Sequence, residues 1–151
     1  MSIESYIEAA KLLYQENFYE EALCLVCSAI DASAARCYSN KKVSERYKLF
    51  LKDNFRTITK ASFSGCSIRS IRIKLQVKTD SLKPDDQGYV DLVQIIYYVL
   101  RCGLVHNCNI EKTFEFVDYN HIGNGGNNKF YIPKSIILGL IAAVENCQNS
   151  N

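Results

Sequence analysis

The sequence predicts a single, mainly α-helical domain with a small antiparallel β-sheet. The chain has 151 residues, of which 48% are hydrophobic, and this size and composition suit one domain with its own core. Apolar residues recur at helical spacing along most of the chain. Three stretches, 71–77, 113–118 and 128–132, instead alternate with a period of two, which predicts strands. We assign residues 1–148 to this domain and predict a disordered Asn/Ser-rich tail at 149–151.

Three helices are predicted in the first third of the chain. An apolar stripe indicates a helix over residues 2–16, with Ser2 as its N-cap. Apolar and small residues cover so wide an arc of 18–38 that this second helix should be central to the fold. Ser44 is predicted to cap a third helix, SERYKLFLKDNF. The Ser/Thr-rich residues 57–70 indicate a loop or a frayed helix end.

The β-structure is predicted from alternation and turn residues. IRIKLQVK, residues 71–78, places apolar side chains on one face and mostly basic ones on the other, as in a half-buried strand. TFEFVDY and KFYIP also alternate, and the Gly/Asn-rich NHIGNGGNN lies between them. These segments predict a hairpin, with the 71–77 strand as its candidate partner.

Two further helices complete the predicted architecture. The fourth should begin near Gly88 or Tyr89, because nearby acidic side chains suit the positive end of a helix. Its apolar stripe consists of Val90, Val93, Tyr97, Leu100 and Leu104. Pro133 and Lys134 are predicted to open the last helix, KSIILGLIAAVENC.

Basic residues are concentrated in one part of the chain. The formal net charge is only +2, but residues 56–83 contain seven basic side chains and one acid. Such asymmetry can mark a surface that faces nucleic acid, whereas a solvated strand face is the alternative. The candidates for weak RNA contacts are Arg69, Arg72, Lys74 and Lys78.

Seven cysteines do not indicate a disulfide framework. Their number is odd, MSIESYIEAAKLL lacks the pattern of a secretory signal, and several cysteines fall within helical patterns, where they behave as small hydrophobes. We therefore expect a reducing, cytoplasmic environment. No apolar run approaches the roughly 18 residues that a membrane helix needs. Cys24-x2-Cys27 lies in mid-helix without the turn residues of a zinc knuckle, so we expect core packing, with no metal and no cofactor.

One segment, YYVLRCGLVHNC, combines a helix-like apolar run with Arg101 and His106. Five residues of a straight helix turn through roughly 500°, which leaves these two side chains about 140° apart. Gly103 lies between them and weakens a helix, so the helix could end near 104–106, and a long arginine could also reach across. The spacing is thus compatible with one shared site but does not require it.

The segment Arg101-Cys-Gly-Leu-Val-His106 resembles the R-x4-H motif of the HEPN superfamily. EEALCLVCSAIDASAARCY, which contains Asp31, is similar to the long second helix of these helical proteins, and SERYKLFLKDNF resembles a following element. The resemblance covers about residues 5–110 and the last helix. It departs from many active members at Cys102, where they have a polar residue after the arginine, and from some members at Cys108, where they have a tyrosine.

The resemblance implies a HEPN-like bundle of four to five helices and a metal-independent endoribonuclease. His106 would act as a general base on the RNA 2′-OH or as a general acid at the leaving oxygen, because imidazole titrates near neutral pH. Arg101 would hold the phosphate and stabilise the charge of the transition state. Asp31, Cys102 and Asn107 would support these two residues.

Two alternatives stay open at the level of the sequence. In the first, a symmetric homodimer brings two motifs together and so supplies both a base and an acid for cleaving RNA. In the second, Arg101 pairs with Asp31 and His106 caps a helix, and the protein is an inactive helical dimer that binds RNA or another protein. Toxin–antitoxin, defence and RNA-processing systems are the implied settings, with a nucleotidyltransferase-like antitoxin as a candidate partner and no membrane.

Overall fold

The structure, a computed structural model, describes residues 1–150. Four helices fill the first part of the chain: α1 (Ile3–Gln15), α2 (Tyr19–Cys37), α3 (Val43–Asp53) and α4 (Phe55–Ser62). Ser2 caps α1 as predicted, because its hydroxyl accepts a hydrogen bond from the Ser5 backbone N–H at 3.1 Å. The predicted bounds of the first three helices agree with the structure to within two residues.

Helix α2 is central, as its wide apolar arc predicts. It packs against α1, α3 and the last helix, α7 (Ile136–Asn149). Its fully or almost fully buried residues lie on several sides of the helix: Ala22, Leu23, Val26, Cys27, Ala29, Ile30, Ser33 and Ala34. The domain is mainly helical with small sheets, which confirms the predicted class.

Helix α4 (Phe55–Ser62) corrects the prediction of a loop or a frayed helix end over residues 57–70. Its Ser and Thr residues have modest helix propensity, but Phe55, Ile58, Thr59 and Ser62 are buried at helical spacing. This face packs on α7 so closely that a Cβ at Gly139 would lie 2.5 Å from the Ile58 carbonyl oxygen. Tertiary packing therefore stabilises a helix that local propensity does not favour.

The prediction of one antiparallel sheet containing a hairpin was wrong. Strands β1 (Arg72–Lys74) and β2 (Tyr89–Asp91) form an antiparallel pair of their own. In the second sheet, β5 (Phe130–Pro133) lies between β3 (Phe114–Val117), which is parallel to it, and β4 (Gly123–Asn124), which is antiparallel. Part of the Gly/Asn-rich segment that was expected to be a simple turn forms β4.

Asparagine side chains from the Gly/Asn-rich segment connect the two sheets. The Asn124 amide donates to the Lys74 carbonyl at 2.6 Å and accepts from the Gln76 backbone N–H at 2.9 Å. Asn128 accepts from the Lys78 backbone N–H at 2.9 Å. Segment 71–77 is thus associated with the later strands, as predicted, but through asparagine side chains and not through backbone pairing between strands.

The fourth predicted helix begins later than expected and is composite. Tyr89 lies in β2, and Asp91 is the N-cap of α5 (Leu92–Gln94). The chain continues without interruption through a π-helical segment (Ile95–Arg101) and α6 (Cys102–Asn107). We call residues 92–107 the composite helix.

The last helix also begins later than predicted, since Pro133 ends β5 and Ile136 is the first residue of α7. The predicted tail, 149–151, begins within this helix at Asn149. Asn151 lies outside the described residues.

Candidate active site

The composite helix carries the Arg–His pair and is fixed at both ends. At its start, Asp91 and Gln94 form a reciprocal capping box with distances of 2.8 and 2.9 Å. At its end, Cys108 adopts a left-handed conformation, with φ 50°, and its N–H donates to the Leu104 carbonyl at 3.1 Å. Such a residue is a common helix terminator, so the helix does not unwind at 104–106.

In the π-helical segment, the side chains on almost every side of the helix are buried. The Cys102 N–H donates to the Tyr97 carbonyl, five residues earlier. A π turn contains more residues than an α turn and shifts the phase of the following side chains. Its buried residues are Ile95, Ile96, Tyr97, Val99, Leu100 and Arg101. Arginine 101 is thereby placed among apolar neighbours, at the kind of helical irregularity that is frequent at functional sites.

Asp31 on α2 holds Arg101. The Nε and Nη2 atoms of Arg101 donate to the same oxygen, Asp31 Oδ2, at 3.2 and 3.0 Å. Arg101 is only 9% exposed. Burial acts to lower the pKa of Arg101, but attraction to Asp31 and hydrogen bonds outweigh it, so the pKa is raised and the guanidinium stays charged.

Two tyrosine rings cover the guanidinium of Arg101. Its Cζ lies 5.5 Å from the ring centre of Tyr97 and 5.9 Å from that of Tyr47, within the range of cation–π attraction. Tyr47 is fully buried, and burial raises its pKa well above the usual value. The phenol is therefore neutral at physiological pH, so Asp31 is the anion that balances Arg101.

The remaining nitrogen of Arg101 reaches His106 within an intact helix. Arg101 Nη1 lies 3.4 Å from His106 Nε2. Arginine can only donate hydrogen bonds, so Nε2 accepts in this contact in the tautomer that carries the imidazole proton on Nδ1. Arg101 and His106 point in different directions from the helix axis, but the arginine side chain is long enough to reach the imidazole.

His106 lines an open cleft of about 370 Å³. Cys102 and Asn107, both predicted to support the site, lie in the same wall, and Cys102 Sγ accepts weakly from Arg101 Nη1 at 3.9 Å. The cleft lining also includes residues that no sequence pattern indicated: Asp80, Ser81, Asn109 and Glu111.

Glu111 is held rigidly in the cleft wall. Its Oε2 accepts hydrogen bonds from Thr79 at 2.6 Å and Ser81 at 2.5 Å, and its Oε1 accepts from Thr113 at 3.3 Å. These four residues are distributed between two loops, and no local motif links them, so the sequence carried no signal for this arrangement.

Gly103 has a packing role at the edge of the cleft. A Cβ at this position would lie 2.8 Å from the Asn109 carbonyl oxygen, which is closer than carbon and oxygen normally approach. The glycine therefore allows the chain after Cys108 to fold back against the composite helix. Gly103 was predicted to weaken the helix so that it could end near 104–106, whereas α6 continues through Gly103 to Asn107.

The basic residues of β1 lie away from this cleft and interact with their own surroundings. Arg72 forms an ion pair with Asp85, and Lys74 donates to the Gln87 carbonyl at 2.7 Å. Both cations also lie over the Tyr89 ring, at 5.1 and 5.2 Å. The other two candidates, Arg69 and Lys78, are exposed.

A metal site is not indicated in the part of the chain that the structure describes. Within residues 1–150, no group of three or more potential His, Cys, Asp or Glu ligands is gathered in one place. Cys27 of the C-x2-C pair is fully buried, and burial raises the pKa of its thiol to about 12, as expected for core packing. None of the helices described in 1–150 is long and apolar enough to span a membrane.

Comparison with known proteins identifies the family. The family model described as Rv1289 matches residues 2–150. The chain belongs to the Rv1289 family. It is 26% identical over 135 residues to the uncharacterized proteins Rv1289 of Mycobacterium tuberculosis and Mb1320 of Mycobacterium bovis. These matches cover 85% of this chain but 62% of each relative, so the chain spans less than two thirds of their length. No solved structure matches it significantly.

Proposed function

We propose that this Rv1289-family chain has a HEPN-like helical bundle and is a metal-independent endoribonuclease that cleaves RNA through attack of the 2′-OH. The observation that carries the proposal is the Arg101 Nη1–His106 Nε2 distance of 3.4 Å, with His106 in the lining of an open cleft and Arg101 itself largely buried. This contact places a proton acceptor, His106, next to a cation that can bind phosphate, Arg101. A toxin–antitoxin, defence or RNA-processing role in the cytoplasm belongs to the same proposal.

The chemistry needs no cofactor. When Arg101 Nη1 turns its hydrogen bond from His106 Nε2 to a phosphoryl oxygen, the freed Nε2 lone pair removes the proton from the 2′-OH, the 2′-oxygen attacks the adjacent phosphorus, and the bond to the 5′-oxygen breaks. Arg101 stabilises the negative charge that grows on the phosphoryl oxygens. Asp31 fixes the orientation of the guanidinium, so that Nη1 remains directed towards the imidazole. The products are a 2′,3′-cyclic phosphate and a 5′-hydroxyl.

A homodimer completes this mechanism, because the leaving oxygen needs a proton donor and each chain has one histidine in the motif. Tyr98 and Val105 are 39% and 41% exposed, and Val105 directly precedes His106, which is also exposed, so these residues belong to the face that the composite helix leaves uncovered. This face is the candidate interface beside His106. Ile95, Ile96 and Tyr97 of the same helix are buried within the chain and do not contribute to this face.

A second function has its own supporting observation. Arg101 is largely buried, and Nε and Nη2 are already committed to Asp31. A phosphate would therefore meet mainly Nη1. This arrangement favours a HEPN-like helical dimer that cuts nothing and binds RNA or a protein partner, such as a nucleotidyltransferase-like antitoxin.

Incubation of the purified protein with mixed RNA in excess EDTA distinguishes the two functions. The enzyme should produce cyclic-phosphate ends, and both Arg101→Ala and His106→Ala should abolish them. His121→Ala is the matched control, because it removes the chain's other histidine, which is exposed in a loop. Absence of cleavage between pH 5 and 9 by a folded, dimeric preparation would exclude the enzyme and leave the binding module.

Mixing Arg101→Ala with His106→Ala protein tests whether the active unit is composite. A mixed dimer retains one intact arginine but only one of the two motif histidines, so activity should stay absent if the reaction needs both imidazoles, and a partial return would show that one histidine with the partner's arginine suffices. Purely monomeric sedimentation at micromolar concentration would contradict the composite site.

A further inference from the structure

Two cysteine thiols from opposite ends of the chain are in contact. Cys37 Sγ and Cys147 Sγ lie 3.6 Å apart, although 110 positions separate the residues in the sequence. Cys37 is the last residue of α2, and Cys147 lies in the last turn of α7. This contact is independent of the Arg–His pair and goes beyond the proposed function.

The two sulfur atoms are close enough to form a disulfide after a small movement. A disulfide has an S–S distance of about 2.04 Å, so the sulfur atoms need to approach by roughly 1.6 Å, which is less than a rotamer change moves a sulfur. Helices α2 and α7 pack against each other, so the fold itself holds the two thiols near bonding distance. Both lie at helix ends, where the backbone adjusts more easily than in a helix centre.

Cys37 is the accessible member of the pair. Its residue is exposed, whereas Cys147 is half-buried. A small oxidant from solvent therefore reaches Cys37 first, and Cys147 is positioned to react with the product. Among the cysteines in the described part of the chain, this is the pair whose sulfur atoms are in hydrogen-bonding contact.

We propose that Cys37 and Cys147 form a reversible, peroxide-sensitive disulfide. The Cys37 thiolate attacks a peroxide oxygen, the O–O bond breaks, and Cys37 becomes a sulfenic acid while hydroxide leaves and takes up the thiol proton as water. The Cys147 thiolate then attacks the Cys37 sulfur and displaces a second water. Two thiols are oxidised and one hydrogen peroxide is reduced to two waters. A dithiol reductant reverses the bond.

The bond would tie the ends of α2 and α7 together. It closes a loop defined by the separation of 110 residues, and long loops restrict the unfolded chain most. We expect peroxide treatment to raise Tm by about 5–10 °C for a chain of this size. Asp31 lies on the same helix as Cys37, so oxidation would also stiffen the element that holds Arg101.

The test treats the intact protein with hydrogen peroxide, blocks the remaining thiols with a maleimide and maps the peptides without reduction. The expected result is a Cys37–Cys147 cross-linked peptide, a chain lighter by two hydrogens, and recovery of both thiols after dithiothreitol. Cys37→Ser and Cys147→Ser should each lose the rise in Tm. Cys66→Ser, which removes another exposed cysteine, should retain it.

Peptide mapping of the wild type keeps the proposal falsifiable even if a serine variant is unstable. Recovery of Cys37 and Cys147 as separately alkylated peptides after oxidation would overturn the proposal. So would over-oxidation of Cys37 without a cross-link, or a disulfide that joins two different chains.

Discussion

Two arginines in this protein each pair with an aspartate, yet their surroundings differ. Arg101 and Asp31 have side chains that are 11% and 24% exposed, whereas those of Arg72 and Asp85 are 56% and 43% exposed. Removing water strengthens a charge interaction and makes an unpaired charge costly. The same residue pair therefore becomes a rigid part of a site inside the helical bundle and a weak surface contact on β1.

The largest expected effect lies at the buried site. His106→Ala should lower RNA cleavage by about 10²–10⁴-fold, the usual contribution of a general acid or base. Arg72→Ala should change the cleavage rate far less, because Arg72 pairs with Asp85 at the surface, whereas His106 lines the cleft. Initial rates on a fluorogenic RNA in EDTA measure both. Comparable losses in the two variants would remove the functional distinction between the two regions.

The next effect concerns stability. Asp31→Asn leaves Arg101 buried without its counter-ion and should lower the free energy of unfolding by about 2–4 kcal/mol. Asp85→Asn, the matched change on the surface, should cost far less, because exposed ion pairs contribute little to stability. Urea denaturation followed by circular dichroism measures both values. Equal losses would show that burial does not separate the two pairs.

Gly103 offers a steric test of the site's framework. Gly103→Ala would place a Cβ 2.8 Å from the Asn109 carbonyl oxygen, so the loop after the composite helix must shift. We expect a loss of about 1–3 kcal/mol in the free energy of unfolding. Gly126→Ala is the control, since nothing lies within 4 Å of a Cβ there. A stabilised Gly103→Ala variant, as ordinary helix propensity would give, contradicts the packing role.

The basic face of β1 should contribute modestly to RNA binding. If Arg72 and Lys74 contact phosphates, the Arg72→Ala/Lys74→Ala variant should bind all RNA sequences less tightly and show a slope of log K against log salt that is smaller by about 1–2. Fluorescence anisotropy across a salt series measures this slope. An unchanged affinity would assign these cations to internal contacts with Asp85, Gln87 and Tyr89.

The smallest effect is a pH dependence at Asp85. The Tyr89 backbone N–H, assisted by Arg72, lowers the pKa of Asp85 below its ordinary value. A lowered folded-state pKa contributes stability above the unfolded-state pKa of about 3.9, and this contribution is lost as the pH falls through the folded value. Stability curves from pH 6 to pH 2 should therefore fall slightly more steeply for the wild type than for Asp85→Asn. Parallel curves would contradict this linkage.

The periodic helices were predictable because their information is local. Apolar spacing of 3.6 residues gave α1, α2, α3 and α7 nearly in their final bounds, and Ser2 indicated its own capping role. Helix α4 was not predictable in this way, because its Ser/Thr-rich residues become helical through burial against α7. Alternation likewise indicated β3 and β5 but not their parallel pairing, since a period of two contains no information about strand direction.

For the candidate site, the sequence by itself determined which groups are available: an arginine and a histidine five positions apart, and an acid on the second helix. Only the tertiary structure decided their arrangement. Asp31 and Arg101 are 70 positions apart, and the π-helical segment turns Arg101 into the core beside α2. The cleft that His106 lines also depends on loops that come together only after folding. Local spacing fixes a side chain's direction along its own element, whereas contacts between elements depend on packing of the whole core.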